Sequence, residues 1–371
     1  MASVNNSLAH IPELDGIRGI AILLVLIGHG WHRHLTLLAV SGVDLFFVLS
    51  GFLITRILIG SFDKPHYFRN FYIRRILRIW PLYFAILAIT YLTPLFLFSR
   101  AEFPAWRFIL YIQNFWPLAG TPSSLSATWS LAIEEQFYLV WPLLIWLCRK
   151  PRHMAYIAVT SIIATPAIRV LYHLYGIDPY MLTFARMDGL ATGACFAILA
   201  MYYPSSRRAW IIKACLIVGV LLLPLSHFEV LRKAFKDTSL NLLFVGLLAF
   251  AFYWCGSSAT RILRSAPFRF FGKISYCAYL IHLAVYSELS SLPTIVQVAI
   301  VTAIAAASWY LFEKPILQLK DSLTRAHVAT FRRGYCLCCG TKLALESDNC
   351  CSDECTAFYG ERHLLAPSYP K

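Results

Sequence analysis

Charge is scarce in this chain. Of its 371 residues, 14% are Asp, Glu, Lys or Arg and 58% are hydrophobic, and the mean hydropathy is +0.62. A soluble domain needs far more charge on its surface, so a soluble protein is excluded. Acidic residues are scarcer still: 19 stand against 33 basic ones, for a formal net charge of +14. Nucleic acid is one reading of such an excess. Lysine and arginine gathered in the cytoplasmic loops of a membrane protein is the better one, and nucleic acid is not an expected partner. Also missing is a basic segment ahead of the first apolar run. MASVNNSLAHIPELD holds neither Lys nor Arg, and no small-residue cleavage site follows the run. That run is expected to remain as a helix and not to leave as a signal peptide.

What is abundant is apolar runs of about 17 to 25 residues, the length that crosses a bilayer core. Ten are expected as spans, at 16–33, 39–60, 79–98, 128–148, 154–175, 184–203, 209–227, 239–256, 272–290 and 293–312. A further stretch, 103–119, is broken by Pro104, Arg107 and Pro117 and is expected to lie at the interface. Leaving it out places one set of basic loops on one side. These carry Lys64, Arg69, Arg74, Arg75 and Arg78; Arg149, Lys150 and Arg152; Arg207 and Arg208; and Arg261, Arg264, Arg269 and Lys273. That side, with both termini, is expected to be cytoplasmic. On the opposite side only 228–238 is basic, diluted by Glu229 and Asp237. The expected fold class is all-α: a polytopic membrane helix bundle of about ten transmembrane helices over 10–316, a basic linker at 317–335 and a small module at 336–360.

The stretch GIRGIAILLVLIGHG sets Arg18 and His29 at its two ends. Eleven residues of helix rise about 16 Å, so Arg18 falls near the cytoplasmic edge and His29 past the midplane. A snorkelling anchor and an interfacial helix end are the competing readings of the two. In SGVDLFFVLSGFLITRILIG, Asp44 lies at the depth of His29 on the next helix. It is expected to orient the imidazole and raise its basicity. TWSLAIEEQFYLVWPLL places Glu134 in the outer half of a span, with Ser130 one turn above. Arg186 and Asp188 in FARMDGLATGACFA fall near the outer face and read equally as an anchored helix start. His282 in ISYCAYLIHLAV is about mid-bilayer and reads equally as a satisfied core histidine. On the other side, YFRNFYIRRILRIWPLY gathers Arg69, Arg74, Arg75 and Arg78, with Arg74 and Arg78 on one helix face. Arg18 and Lys273 are placed to join them. Such a cluster suits the phosphates of lipid headgroups or of a nucleotide-bearing cofactor.

Six motifs then fall in order: LDGIRGIAILLVLIGH, GVDLFFVLSGFLI, YIRRILRIWPLY, WSLAIEEQFYLVWP, ISYCAYLIH and FEKP. Together they resemble the acyltransferase-three family of bacterial membrane acyltransferases, which O-acylate cell-surface carbohydrates, over roughly residues 10 to 318. The resemblance implies an enzyme of the bacterial inner membrane with a cytoplasmic acyl-CoA donor, acetyl-CoA foremost. The acceptor would be a hydroxyl of a carbohydrate or glycolipid at the outer face. The family's arginine-x10-histidine pattern falls on Arg18 and His29, and its glutamate on Glu134, not Glu135. The expected mechanism is direct transfer. Arg18, Arg74, Arg75, Arg78 and Lys273 hold the donor, and His29 deprotonates the acceptor. Asp44 holds the imidazole, and Glu134 or Ser130 places the acceptor; a relay through an acyl-enzyme stays open. Some members carry an esterase-like extracytoplasmic domain after the bundle. None is expected here, so transfer would finish in the membrane domain or be handed to another protein. The alternative is a proton-coupled transporter or flippase of a lipid-linked sugar. Intramembrane His, Asp and Glu suit proton coupling, but the sequence shows no repeated half and no symmetric Gly/Pro interruption.

Of 11 cysteines, five are scattered through apolar segments and are expected to be small core residues. Six crowd into YCLCCGTKLALESDNCCSDEC. Cys336-x2-Cys339 and Cys351-x3-Cys355, eleven residues apart, have the spacing of a tetrahedral Zn2+ site, with Cys338 and Cys350 as possible substitutes. Disulfide pairing is disfavoured on a reducing cytoplasmic side. So small a module would owe its folding to the metal, and docking a cytoplasmic protein partner is one role for it.

Overall fold

The computed structural model of the protein describes residues 10–31, 36–62, 66–92, 104–116, 123–224 and 228–325. The chain divides into two units, Met1–Pro315 and Ile316–Lys371. Cys336, Cys339, Cys351 and Cys355, and with them the expected Zn2+ module, lie outside the described residues. All described elements are helical. In chain order they are α1 (Pro12–Gly30), α2 (Thr36–Ile59), α3 (Tyr67–Leu92), α4 (Ala105–Ile109), α5 (Ser123–Ser126), α6 (Thr128–Cys148) and α7 (Pro151–Leu174). There follow α8 (Met187–Tyr202), α9 (Ser205–Leu222), α10 (Glu229–Tyr253), α11 (Ala266–Glu288), α12 (Thr294–Ser308) and α13 (Lys314–Arg325). Residues 317–325 of the expected linker are thus helical.

Local chemistry sets several ends. α1, α7 and α11 each begin with a proline in the first turn, where its missing N–H costs nothing and its fixed φ suits the helix. Arg149, in the left-handed region at φ 46°, stops α6, and Pro151 starts α7 two residues later. Six helices among the described residues are long and apolar enough to cross a membrane by length and composition. They are Ser41–Ile59, Tyr67–Leu92, Thr128–Cys148, Pro151–Leu174, Glu229–Tyr253 and Thr294–Leu319. α1, α8, α9 and α11 fill other expected spans but are shorter or more polar. Within 103–119 the described elements are α4 and a 3-10 turn at Gln113–Phe115, neither long enough to cross. The phenol of Tyr83 holds it by a bond to the Phe108 carbonyl at 2.9 Å, and Gln136 donates to the Tyr111 carbonyl at 2.7 Å.

α3 begins twelve residues before the expected span, so Arg69, Arg74, Arg75 and Arg78 ride on the same helix as that span. The spine that carries the site is the row α11–α1–α2–α8. Its backbones touch because glycines face the neighbouring helix's backbone. A Cβ on Gly19 would lie 2.0 Å from the Phe268 carbonyl oxygen, and one on Gly51 would lie 1.9 Å from that of Leu190. Small residues of this kind let helices approach closely inside a membrane.

Candidate active site

A cavity of about 110 Å³ lies among α1, α2, α3, α6 and α11. Arg18, Arg75 and Arg78 stand in its wall together with Ser130 and Glu134. Arg75 and Arg78 share a face of α3, three residues apart. The Arg75 guanidinium lies 5.4 Å above the ring of Tyr138. Arg18 reaches them from α1, with Asp15 at 3.6 Å. Arg74 and Lys273, grouped with them by sequence, are exposed and stand outside the wall. The helix face that meets the cavity is therefore that of residues 75 and 78, not that of 74 and 78.

Two hydroxyl chains line the same cavity. The Glu134 carboxylate accepts from the Tyr138 phenol at 2.9 Å, and that phenol lies 2.5 Å from the Ser50 hydroxyl. A phenol has one proton, so with Glu134 as acceptor the Ser50 hydroxyl is the donor to Tyr138. Ser130 and the Tyr279 phenol are 2.6 Å apart. Glu135 points elsewhere and accepts from the Trp80 indole N–H at 3.1 Å.

His29 lies one layer behind Tyr279. Its ring is 5.0 Å from that of His282, which is 5.5 Å from that of Tyr279. His282 is fully buried, with Nδ1 2.6 Å from the Tyr279 carbonyl and no hydrogen bond at Nε2. The Nδ1 of His29 is 3.1 Å from the Val25 carbonyl. A carbonyl only accepts, so in both rings Nδ1 carries the proton, and Nε2 of the neutral imidazole is the basic nitrogen. His282 is thus a buried histidine with one ring nitrogen unbonded, and only its mid-span position marked it in the sequence.

The expected support of His29 by Asp44 is corrected. Asp44 is buried and receives the Arg186 Nη2 at 2.5 Å. The other Arg186 nitrogen, Nη1, pairs with Asp237. Arg169 donates to Asp188 at 2.7 Å and to the carbonyls of Ala185 and Ala234 at 2.7 and 2.9 Å. A guanidinium at contact distance takes the carboxylate, and a backbone carbonyl orients the imidazole instead. Arg186 and Asp188, read equally as an anchored helix start, belong to this interior network of three carboxylates and two guanidiniums. Among the described residues no group of His, Cys, Asp and Glu is arranged to hold a metal ion.

Residues 11–314 match the profile described as Acyltransferase domain. The chain is similar to the peptidoglycan O-acetyltransferase OatA of Listeria monocytogenes, 29% identical over 353 residues that cover 83% of this chain and 56% of that protein. It is likewise similar to the O-acetyltransferase OatA of Staphylococcus aureus, 28% identical over 348 residues that cover 83% and 57%. It spans about half the length of these curated relatives. No solved structure matches. With a matched segment that holds the arginine cavity, both histidines and most of the described helices, the chain belongs to the acyltransferase-three family.

Proposed function

We propose that the protein is an integral-membrane O-acetyltransferase of a bacterial inner membrane. It would move an acetyl group from acetyl-CoA to a hydroxyl of a cell-surface or exported carbohydrate. The observation that carries this reading is that Arg18, Arg75 and Arg78 share one cavity with Glu134 and Ser130. Three guanidiniums facing one space suit the phosphates of a nucleotide-bearing donor. The relatives named O-acetyltransferases support acetyl as the group and a glycan as the acceptor. His29 lies eleven residues beyond Arg18 on the unbroken α1, about 16 Å along its axis. That is about half a bilayer core, so the donor's phosphates and its thioester would sit at different depths.

In the proposed step, His29 Nε2 takes the proton of the acceptor hydroxyl. The hydroxyl oxygen bonds to the acyl carbon, the carbon–sulfur bond breaks, and the leaving thiolate takes the proton back from the imidazolium. Ser130 with Tyr279, and Glu134 with Tyr138, position the reactants. A thiolate leaves readily, so the step needs no acyl-enzyme. Ten crossings are proposed, with the arginine end and both termini cytoplasmic. The tail cysteines Cys336, Cys339, Cys351 and Cys355 are proposed to close a Zn2+ site there. Zinc in the purified full chain at one equivalent, lost in Cys338→Ser/Cys339→Ser, is the expected result.

The function is tested by mass spectrometry of surface and secreted glycans, before and after mild alkali. The strains are a deletion, the deletion carrying wild type, and the deletion carrying His29→Ala at equal expression. Wild type is expected to restore an alkali-labile acetyl ester that the other two lack. Restoration by His29→Ala removes His29 as the base. Purified protein that releases no CoA from acetyl-CoA when an acceptor is supplied favours the transporter.

A further inference from the structure

A second cavity, of about 140 Å³, lies at the end of the bundle formed by the C-terminus of α7 and the N-termini of α8 and α10. Arg169 and Arg186 form its floor, each 1% exposed. Arg232, Lys233 and Lys236, from the first two turns of α10, form its rim, and Asp178 and Asp237 are the acids in its wall. The floor arginines are already paired with Asp44, Asp188 and Asp237, so the cations left over are those of the rim.

Three observations ask for a ligand. The rim belongs to 228–238, which gathers Arg232, Lys233 and Lys236 within five residues on the side expected to lie opposite the arginine loops, where basic residues are ordinarily sparse. The floor holds an unspent donor: Arg186 Nε is buried without a hydrogen bond, although both terminal nitrogens are paired. Among the described residues, the Arg232 and Lys236 side chains make no ion pair or hydrogen bond, whereas Lys233 lies 3.4 Å from Glu229 and 3.3 Å from His173.

The place of this cavity narrows the ligand. The Arg186 guanidinium lies 5.7 Å from the ring centre of Phe47, which stands in the wall of the first cavity. Tyr180, in the wall of the second, is 5.0 Å from the ring of Trp129. One layer of side chains separates the two spaces, and aromatic rings flank the partition. A cation-lined pocket with an aromatic ring in its wall suits a sugar that carries an oxyanion.

We infer that the second cavity is the acceptor subsite and takes a carboxylate or phosphate borne by the acceptor glycan. The assignment of acceptor rests on the acetyltransferase reading; the preference for an anion does not. The test uses the full chain in nanodiscs of phosphatidylcholine and three pyranoses that differ in one group: glucuronate, glucose 6-phosphate and glucose. Binding is followed by saturation-transfer NMR. One or both anions are expected to bind at least tenfold more tightly than glucose. The variant Arg232→Gln/Lys236→Gln is expected to lose that preference while its Tm stays that of wild type. The tighter of the two anions assigns carboxylate or phosphate. Equal binding of all three sugars, no binding of either anion, or a preference that survives in the variant overturns the inference. So does loss of anion binding when phosphatidylglycerol replaces the neutral lipid, because the site then belongs to a headgroup. Acetyl esters formed by a protein without anion preference sink the subsite alone. A variant-sensitive anion preference in a protein that forms no ester keeps the anion site and removes its role as acceptor subsite.

Discussion

Asp44 and His29 are fifteen residues apart and were expected to meet, yet each is held by something else. The Val25 carbonyl fixes the His29 tautomer, and Arg186 holds Asp44. A carboxylate beside the imidazole would raise its basicity, so neutralising that carboxylate would move the acid limb of the rate profile to lower pH. With Asp44 on Arg186, Asp44→Asn is expected to leave the acid limb of the kcat profile in place. It keeps two carboxylates against two guanidiniums, so its cost in stability is expected to be small. Arg186→Ala leaves buried carboxylates uncompensated and is expected to cost about 3–5 kcal/mol. Thermal unfolding in detergent beside a pH–rate profile checks both; a shifted acid limb in Asp44→Asn returns Asp44 to the base. A second residue-scale prediction concerns the donor. Losing a charge-assisted bond of about 1.5–3 kcal/mol in Arg75→Ala is expected to raise KM for acetyl-CoA by about ten- to a hundredfold. KM for S-acetylpantetheine, which has no nucleotide, is expected to hold. An equal rise for both donors would place Arg75 away from the phosphates.

At the scale of elements, close backbone contact between α2 and α8 sets what the bundle tolerates. A Cβ on Gly51 meets the Leu190 carbonyl at 1.9 Å, and backbone cannot step aside. A Cβ on Gly246 meets a methyl of Leu216 at 2.6 Å, and that side chain can turn. Gly51→Val is expected to abolish the monodisperse peak in size exclusion, and Gly246→Ala to keep it. Equal behaviour of the two would remove the α2–α8 contact as the constraint. The sequence marks such helices well where punctuation is strong: α6 occupies the expected 128–148, between a threonine start and the Arg149–Pro151 reversal. It marks the start of α3 poorly, because the four arginines stand ahead of the expected span, although Arg74 and Arg78 read as one helix face. Arginine is a good helix former whose stem packs on apolar surface. The phenols of Tyr67 and Tyr72 bind the carbonyls of Pro142 and Leu139 and tie this early turn to α6. In the site, the spacing of Arg18 and His29 follows from one continuous helix. The meeting of Asp44 with Arg186 depends on how α2 and α8 are rotated across 142 residues of sequence, which no local pattern encodes.

In the molecule as a whole, the first cavity reaches Arg18 and the second has Arg232 at its rim, and the proposed reaction asks for access to these two residues from opposite sides. The segment after α10 wraps the start of α1. Gly256 N–H and the Thr260 hydroxyl donate to Glu13 at 2.7 and 3.1 Å, and Arg264 lies 3.2 Å from the same carboxylate. Cys255, an exposed free thiol, therefore reports on the end that holds Arg18. Arg232, exposed at the start of α10, reports on the end that holds the second cavity. If the basic loops are cytoplasmic, a membrane-impermeant maleimide is expected to label Arg232→Cys and spare Cys255 in right-side-out vesicles. In inverted vesicles the order reverses, with each site read by peptide mass spectrometry. Acetyl-CoA is made and kept in the cytoplasm. Labelling of Cys255 from outside would put Arg18, Arg75 and Arg78 where that donor does not reach. The three arginines would then have to face an extracellular anion, and the donor half of the proposed reaction would fall even if His29 proved to be the base.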